Sequence, residues 1–192
     1  IIGLLMTTWV RGTAIVNRKA HTGSVPLEQL VAMLKKSKPV QAPGTAVFLT
    51  SDPEVAPSAL LHNLKHNHVL HSRNVIVTVQ VTTMPRVPDA DRLSLEQISD
   101  TFWRIRLTFG YMEVPNVPRA LALARKDGLA LEMMSTSYFL NRRSFRPATD
   151  RAPMPLWQDK LFIAMTKAAT DATGFYRLPS NRVLELGQQF VV

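Results

Sequence analysis

Four histidines fall within one short stretch: His62, His66, His68 and His71. The i, i+4 spacing of His62 and His66 is the one that turns two helical imidazoles toward a single metal ion. On a helical wheel, however, the pair lies opposite Leu60, Leu61 and Leu64, and no nearby Cys, Asp or Glu supplies a third or fourth ligand. Solvent-facing histidines near a helix end are the better reading, and no metal is expected. A second candidate is Thr50-Ser51-Asp52, which closes an apolar run. An open α/β sheet places its ligands at the carboxyl ends of its strands, where this loop would sit. A polar turn leading into the next helix explains the same residues more simply. A third group is cationic: Arg11, Arg18, Lys19, Lys35, Lys36 and Lys38. Such residues pair with anionic surfaces. There is no GxSxG elbow, P-loop, HExxH or GxGxxG, and no two carboxylates can be placed together. No catalytic residue and no cofactor are therefore expected, and the chain does not read as an enzyme.

These residues need elements to hold them. Thr45–Thr50 is an apolar run ending in the turn cluster Ser51-Asp52-Pro53. Pro57 suits the first position of a helix, where its missing N–H costs nothing. Leu60, Leu61 and Leu64 share one helical face, and Asn67 is the expected left-handed stop. Val75, Val77, Val79 and Val81 then recur at period two, which is strand chemistry. Strand, helix and strand together form a parallel, right-handed βαβ unit. Downstream, Arg92–Ser99 and Phe102–Phe109 flank Ser99-Asp100-Thr101 as a hairpin. Trp103, Ile105, Leu107 and Phe109 give the second strand its apolar face. Asn116 is placed to cap a helix through Arg119–Lys126 that stops at Gly128. Ser137–Leu140 reads as a short strand. A long helix follows, with Trp157, Leu161, Met165 and Ala168 as its core stripe, and Val183–Val192 reads as the last strand. The order β-α-β-β-β-α-β-α-β implies an α/β sandwich with a mixed sheet.

Composition sets outer limits. At 192 residues, 46% hydrophobic and 19% charged, the chain can bury a core and is not disordered. It has no cysteine, so disulfides and thiolate zinc sites are excluded. The first ten residues, IIGLLMTTWV, are apolar, carry Trp9 near their end, and are followed by Arg11, Arg18 and Lys19. They are too short to cross a bilayer alone but fit the last turns of a membrane helix leaving it. Beginning at Ile1, with no signal-peptide pattern, the chain reads as a piece of something longer. Residues 11–43 read as a basic linker containing an amphipathic helix. Val25 is its staple, Leu27, Leu30, Val31 and Leu34 point inward, and Pro39 and Pro43 end it. Through Pro43 there are six Lys/Arg against Glu28, a net +5 out of the chain's +9. Positive-inside placement beside anionic lipid explains that bias. No nucleic-acid module or aromatic-interleaved basic face is visible, so nucleic acid is not an expected partner.

Six phrases carry a resemblance to a known family: GTAVFLTSDP (Gly44–Pro53), ALLHNLKHN (Ala59–Asn67), RVPDADR (Arg86–Arg92), FGYMEVPNVPRAL (Phe109–Leu121), SYFLNR (Ser137–Arg142) and NRVLELG (Asn181–Gly187). In this order and spacing they resemble the C-terminal cytoplasmic domain of Kup-type potassium uptake permeases. The resemblance implies a bacterial inner-membrane parent that symports potassium with protons, with this region on the cytoplasmic side in a regulatory or assembly role. On that reading residues 1–10 end a transmembrane helix, 11–43 form the basic linker and 44–192 the cytoplasmic α/β domain. The expected partners are the membrane domain of the same polypeptide, the anionic membrane surface and a second copy in a homodimer. Some potassium transporters are governed by cyclic di-adenosine monophosphate, and fold analogy alone makes a cyclic dinucleotide at Thr50–Asp52 the corresponding effector. The alternative from another class is a soluble nucleotide-binding α/β regulatory protein, followed by a basic nucleic-acid binder.

Overall fold

The computed structural model describes residues 2–21, 24–37, 39–146, 155–167 and 172–191. Its elements are α1 (Ile2–His21), α2 (Leu27–Ser37), β1 (Val40–Leu49), α3 (Ser58–Asn67), β2 (Val69–Thr82), β3 (Leu93–Ser99), β4 (Phe102–Gly110), α4 (Val117–Leu121), β5 (Thr136–Arg146), α5 (Leu156–Lys167), α6 (Ala172–Phe175) and β6 (Val183–Val191), with short 3-10 turns at Ala122–Asp127, Met133–Ser135 and Ser180–Arg182. The chain divides into two compact units. One comprises residues 1–24, 142–170 and 187–192, and the other 25–141 and 171–186.

The larger unit is built on the βαβ motif. β1 and β2 pair in parallel with α3 between them, and β2 pairs in parallel with β4. β3 folds back antiparallel on β4 as the expected hairpin, and β1 pairs in parallel with β5. The sheet is therefore mixed, in the order β3-β4-β2-β1-β5-β6. Its central strands are buried on both faces, because residue type alternates within an unbroken apolar run. Val47, Val75, Val77, Ile105, Leu107 and Tyr138 face one layer, with Val117, Leu121 and Ala124 packed on them. Ala46, Phe48, Ile76 and Phe139 face the other, under Leu27, Leu30 and Val31 of α2 and Leu60 of α3. Phe48 and Phe139 stack with ring centroids 4.8 Å apart.

Several expectations shift by a few residues, for physical reasons. Pro57 is the cap rather than the first helical residue of α3. The left-handed residue is His68 (φ 53), one past Asn67. Asn67 stays helical and donates through Nδ2 to Asn63 Oδ1 at 2.7 Å, while Asn63 Nδ2 donates to Val69 O. Pro43 does not precede the first strand but lies inside it, at the irregularity between Ala42 and Thr45. A bulge is where a strand tolerates proline, having no N–H to pair there. Gly44 completes it at φ 99, and a side chain there would meet Ser135 O at 2.7 Å. β5 continues well beyond the expected Ser137–Leu140.

In the smaller unit, the apolar Ile2–Val10 stretch is the first half of the 20-residue helix α1. Among the described residues no helix is long and apolar enough to cross a membrane. α1 packs on α5 at one close crossing. The ring of Phe162 lies over Gly12, so near that a Cβ at Gly12 would meet it at 2.3 Å. Trp9 (centroids 5.7 Å), Val16 and Phe145 complete this small core. The expected core stripe of α5 is corrected here. Phe162 and Asp159 are the buried residues, whereas Trp157 is 51% exposed. Leu161 and Met165 are half-buried, and Ala168 lies outside the described residues. Apolar residues occur on every side of this helix, so periodicity could not orient it; the space above Gly12 does.

Candidate functional site

The most densely paired polar site joins two of the sequence phrases, Arg86–Arg92 and Phe109–Leu121. β4 ends at Gly110 because the chain must pass hard against another backbone: a Cβ there would lie 2.2 Å from Pro85 O. Tyr111 N–H donates to Met84 O and Met112 N–H to Pro85 O, pinning the β2–β3 connection to the end of β4. The turn brings Glu113 back under its own strand. Its Oε2 accepts from Gly110 N–H at 2.6 Å and from Val87 N–H at 3.2 Å, so one carboxylate satisfies two loop donors. Arg92 closes the other side. Its Nη2 donates to Glu113 Oε1 at 2.8 Å and its Nη1 to Oε2 at 3.3 Å, a two-point pairing of guanidinium and carboxylate. Nε donates to Asp89 Oδ1 at 3.0 Å, Nη2 also reaches Val87 O, and the guanidinium lies 5.0 Å from the Phe109 ring centroid.

The electrostatics follow from these contacts. The Arg92 hydrogen bond first and the Gly110 N–H second outweigh the cost of burial, and with a smaller pull from the Val87 N–H they hold the Glu113 carboxyl down at about 2. Glu113 in turn raises Arg92 further above its already high value. A cleft of about 200 Å³ opens beside the pair, lined by Asp89, Phe109, Asn116 and Arg119 among others. It is smaller than an ordinary small-molecule pocket. Every Arg92 nitrogen already donates to a protein oxygen, so the arrangement is a clasp that holds two connections together. Neither residue was singled out by sequence reasoning, although each sits in a quoted phrase. A carboxylate three positions after a glycine-ended strand was the available signal.

Arg104 makes a comparable link on the opposite layer. It is one-tenth exposed, with Nη1 2.8 Å from Glu96 Oε2, Nε donating to Pro53 O and Nη2 3.3 Å from Glu54 Oε2. The Nη2 contact is a close ion pair without good hydrogen-bond geometry.

Thr50, Ser51, Asp52 and the four histidines take no part in the clasp contacts given above. Thr50, Ser51 and Asp52 follow β1 at its carboxyl end, as expected. Thr50 and Asp52 turn their side-chain oxygens to the loop itself: Asp52 Oδ1 accepts from Glu54 N–H at 3.0 Å, and Thr50 Oγ1 bonds both the N–H and the O of Asp52. His62 and His66 stack at 5.7 Å on the outer side of α3, and His71 is half-buried edge-on to Phe139. Burial lowers the pKa of His71. Among the described residues no three His, Cys, Asp or Glu side chains come together as a metal site. Of the six cations, Arg11 and Arg18 are exposed on α1, and Lys35 and Lys36 are exposed at the end of α2. Lys38 and the side chain of Lys19 lie outside the described residues. Asn116 does cap α4 as expected, Oδ1 accepting from Arg119 N–H at 3.0 Å, and Gly128 stops the following 3-10 turn at φ 88.

Residues 43–192 match the model of a protein family described as the K+ potassium transporter C-terminal domain. The chain is 51% identical over 192 residues to the "Probable potassium transport system protein Kup" of Rhizobium rhizogenes, covering 98% of this chain and 30% of that protein. It is 53% identical over 188 residues to "Probable potassium transport system protein Kup 3" of a Bradyrhizobium species, covering 98% and 29%. A protein of the same description from Rhizobium tropici is 50% identical, with 98% and 90% covered. The chain thus spans about 30% of the length of the first two relatives. No solved structure matches it. The chain belongs to the family of potassium transporter C-terminal domains.

Proposed function

We propose that this chain is the cytoplasmic regulatory or assembly domain of a potassium:proton symporter in a bacterial inner membrane. The observation that carries the reading is the family match over residues 43–192, together with relatives that are potassium transport proteins more than three times longer. Two features of the chain support it. α1 is apolar around its first half and carries cations but no carboxylate, as expected of a helix leaving a bilayer on the positive side. The larger unit spends its best polar contacts on holding loops, consistent with a scaffold rather than a catalyst. Conduction residues would then lie in the membrane part of the parent polypeptide.

The test uses the full-length Rhizobium rhizogenes relative in cells lacking other potassium uptake. Protease added outside spheroplasts is expected to spare the domain, and protease added to inverted vesicles to remove it. Deleting the region that matches residues 44–192 is expected to change rubidium uptake while the remaining protein still inserts. Cleavage from outside would refute the cytoplasmic placement, and unchanged uptake would refute the regulatory role.

A further inference from the structure

α1 and α5 leave two apolar surfaces uncovered on the same small unit. α1 buries Thr8, Gly12 and Val16 on one stripe, yet Ile2, Met6, Trp9 and Val10 stand exposed around the rest of it. A helix that is apolar all round is normally covered all round. α5 presents its own uncovered face at the crossing. Asp159 and Phe162 point inward, whereas Leu156 (58% exposed) and Trp157 (51%) stand outward in the first turn. Lys160, Ala164 and Lys167 continue that exposed side. The one carboxylate of α5 is buried, and α1 has none. Among the described side chains, every exposed charge on the two helices is therefore positive: Arg11, Arg18, Lys160 and Lys167.

We propose that α5 is an interfacial helix that lies on the anionic membrane surface beside α1, inserting Leu156 and Trp157 while Lys160 and Lys167 meet lipid phosphates. The occupant follows from charge and side-chain type. Acyl chains accept Leu and the body of Trp, the headgroup layer accepts the indole N–H, and long lysine stems lie along apolar surface with their heads in the phosphates. Depth is set by the crossing, since Phe162 packs on Trp9 and Gly12. Those residues mark the level at which α1 changes from apolar to cationic, so α5 sits at the height of the headgroups. The proposal rests on the reading of α1 as a membrane-exit helix and adds a second anchor about 150 positions further along the chain.

The test uses the 192-residue chain with vesicles of phosphatidylglycerol and phosphatidylcholine. With Trp9→Phe and Trp103→Phe, Trp157 is the sole tryptophan. Its emission is expected to shift blue and to be quenched by shallowly brominated lipid. Leu156→Gln with Trp157→Gln should weaken vesicle binding at least about tenfold. Lys160→Gln with Lys167→Gln should weaken it about fivefold per lysine on anionic vesicles and hardly at all on neutral ones. Circular dichroism and melting of each variant, alongside the quenching measured on a protein with α5 otherwise unaltered, separate loss of fold from loss of contact. Vesicle binding that survives both α5 double variants, with Trp157 unquenched, would overturn the proposal while leaving the membrane-exit reading of α1 intact. Absence of all vesicle binding by the parent chain would overturn both.

Discussion

Replacing Glu113 with Gln tests the clasp directly. The carboxylate titrates near 2 rather than at its ordinary 4.5, so its ionised form is favoured by the fold. The full difference sets a ceiling of about 3 kcal/mol, and solvent on one side of the pair reduces this to about 1–2 kcal/mol. The substitution also leaves Arg92, 12% exposed, with Asp89 as its remaining carboxylate and an amide N–H₂ turned toward it. Partial burial of an underpaired cation brings the expected loss to about 2 kcal/mol at pH 7. For a domain of this size that corresponds to a fall in melting temperature of about 4–8 °C. The sign with pH is fixed by the lowered folded-state value. The contribution is fully present above about 4.5 and is lost progressively as pH falls to and through about 2, the folded-state value, below which folded and unfolded states are both protonated. The parent should therefore lose stability over this window more steeply than Glu113→Gln, and the two curves should converge at its acid end. Calorimetry across pH 7 to 2 measures both quantities. A variant that melts with the parent at pH 7, or whose difference from it does not shrink on acidification, would refute the reasoning.

Gly110→Ala places a methyl group 2.2 Å from Pro85 O, a backbone atom that cannot swing aside. The expected cost is about 1–3 kcal/mol, read as a lower denaturant midpoint, whereas the open site Gly174→Ala should move it little. Light scattering of the whole chain at high concentration is expected to report a dimer, because the exposed apolar face of α1 lacks lipid in solution; a strict monomer would remove that expectation. Changing Arg11, Arg18, Lys19, Lys35, Lys36 and Lys38 together to Gln should weaken binding to anionic vesicles and flatten its salt dependence. Melting should change by less than about 1 kcal/mol, since Arg11, Arg18, Lys35 and Lys36 are exposed; equal vesicle binding would give the charges another purpose.

What could be read from the sequence was what local chemistry decides. The period-two valines of β2, the Asn116 cap, the Gly128 stop and the inward Leu27, Leu30 and Val31 each depend on a few neighbours along the chain. What could not be read depends on distant partners. Arg92 and Glu113 are separated by a whole hairpin, and only the close passage of Gly110 against Pro85 brings them together. The orientation of α5 failed for a related reason: its wheel has apolar residues in every direction, and Gly12, remote in sequence, selects Phe162. Pro43 reads as a boundary because proline in a strand is ordinarily disfavoured, and the bulge that admits it needs Gly44 beside Ser135. The Thr50–Asp52 loop lies at the carboxyl end of β1 as its position after the apolar run implies, yet Thr50 and Asp52 close its own turn.

Two kinds of polar residue differ in what they hold. Arg92 and Arg104 are largely buried, meet two carboxylates each and bond backbone oxygens of neighbouring loops. Removing either would leave carboxylates and carbonyls underpaired, so their effect belongs to stability. Lys160 and Lys167 are exposed on the same helix whose carboxylate is buried, and Trp157 stands beside them without a core to fill. Changing those residues should alter contact with a surface far more than the fold. Stability and attachment thus lie in different residues, and a variant series that divides them this way would tie the clasp to the scaffold and α5 to the membrane.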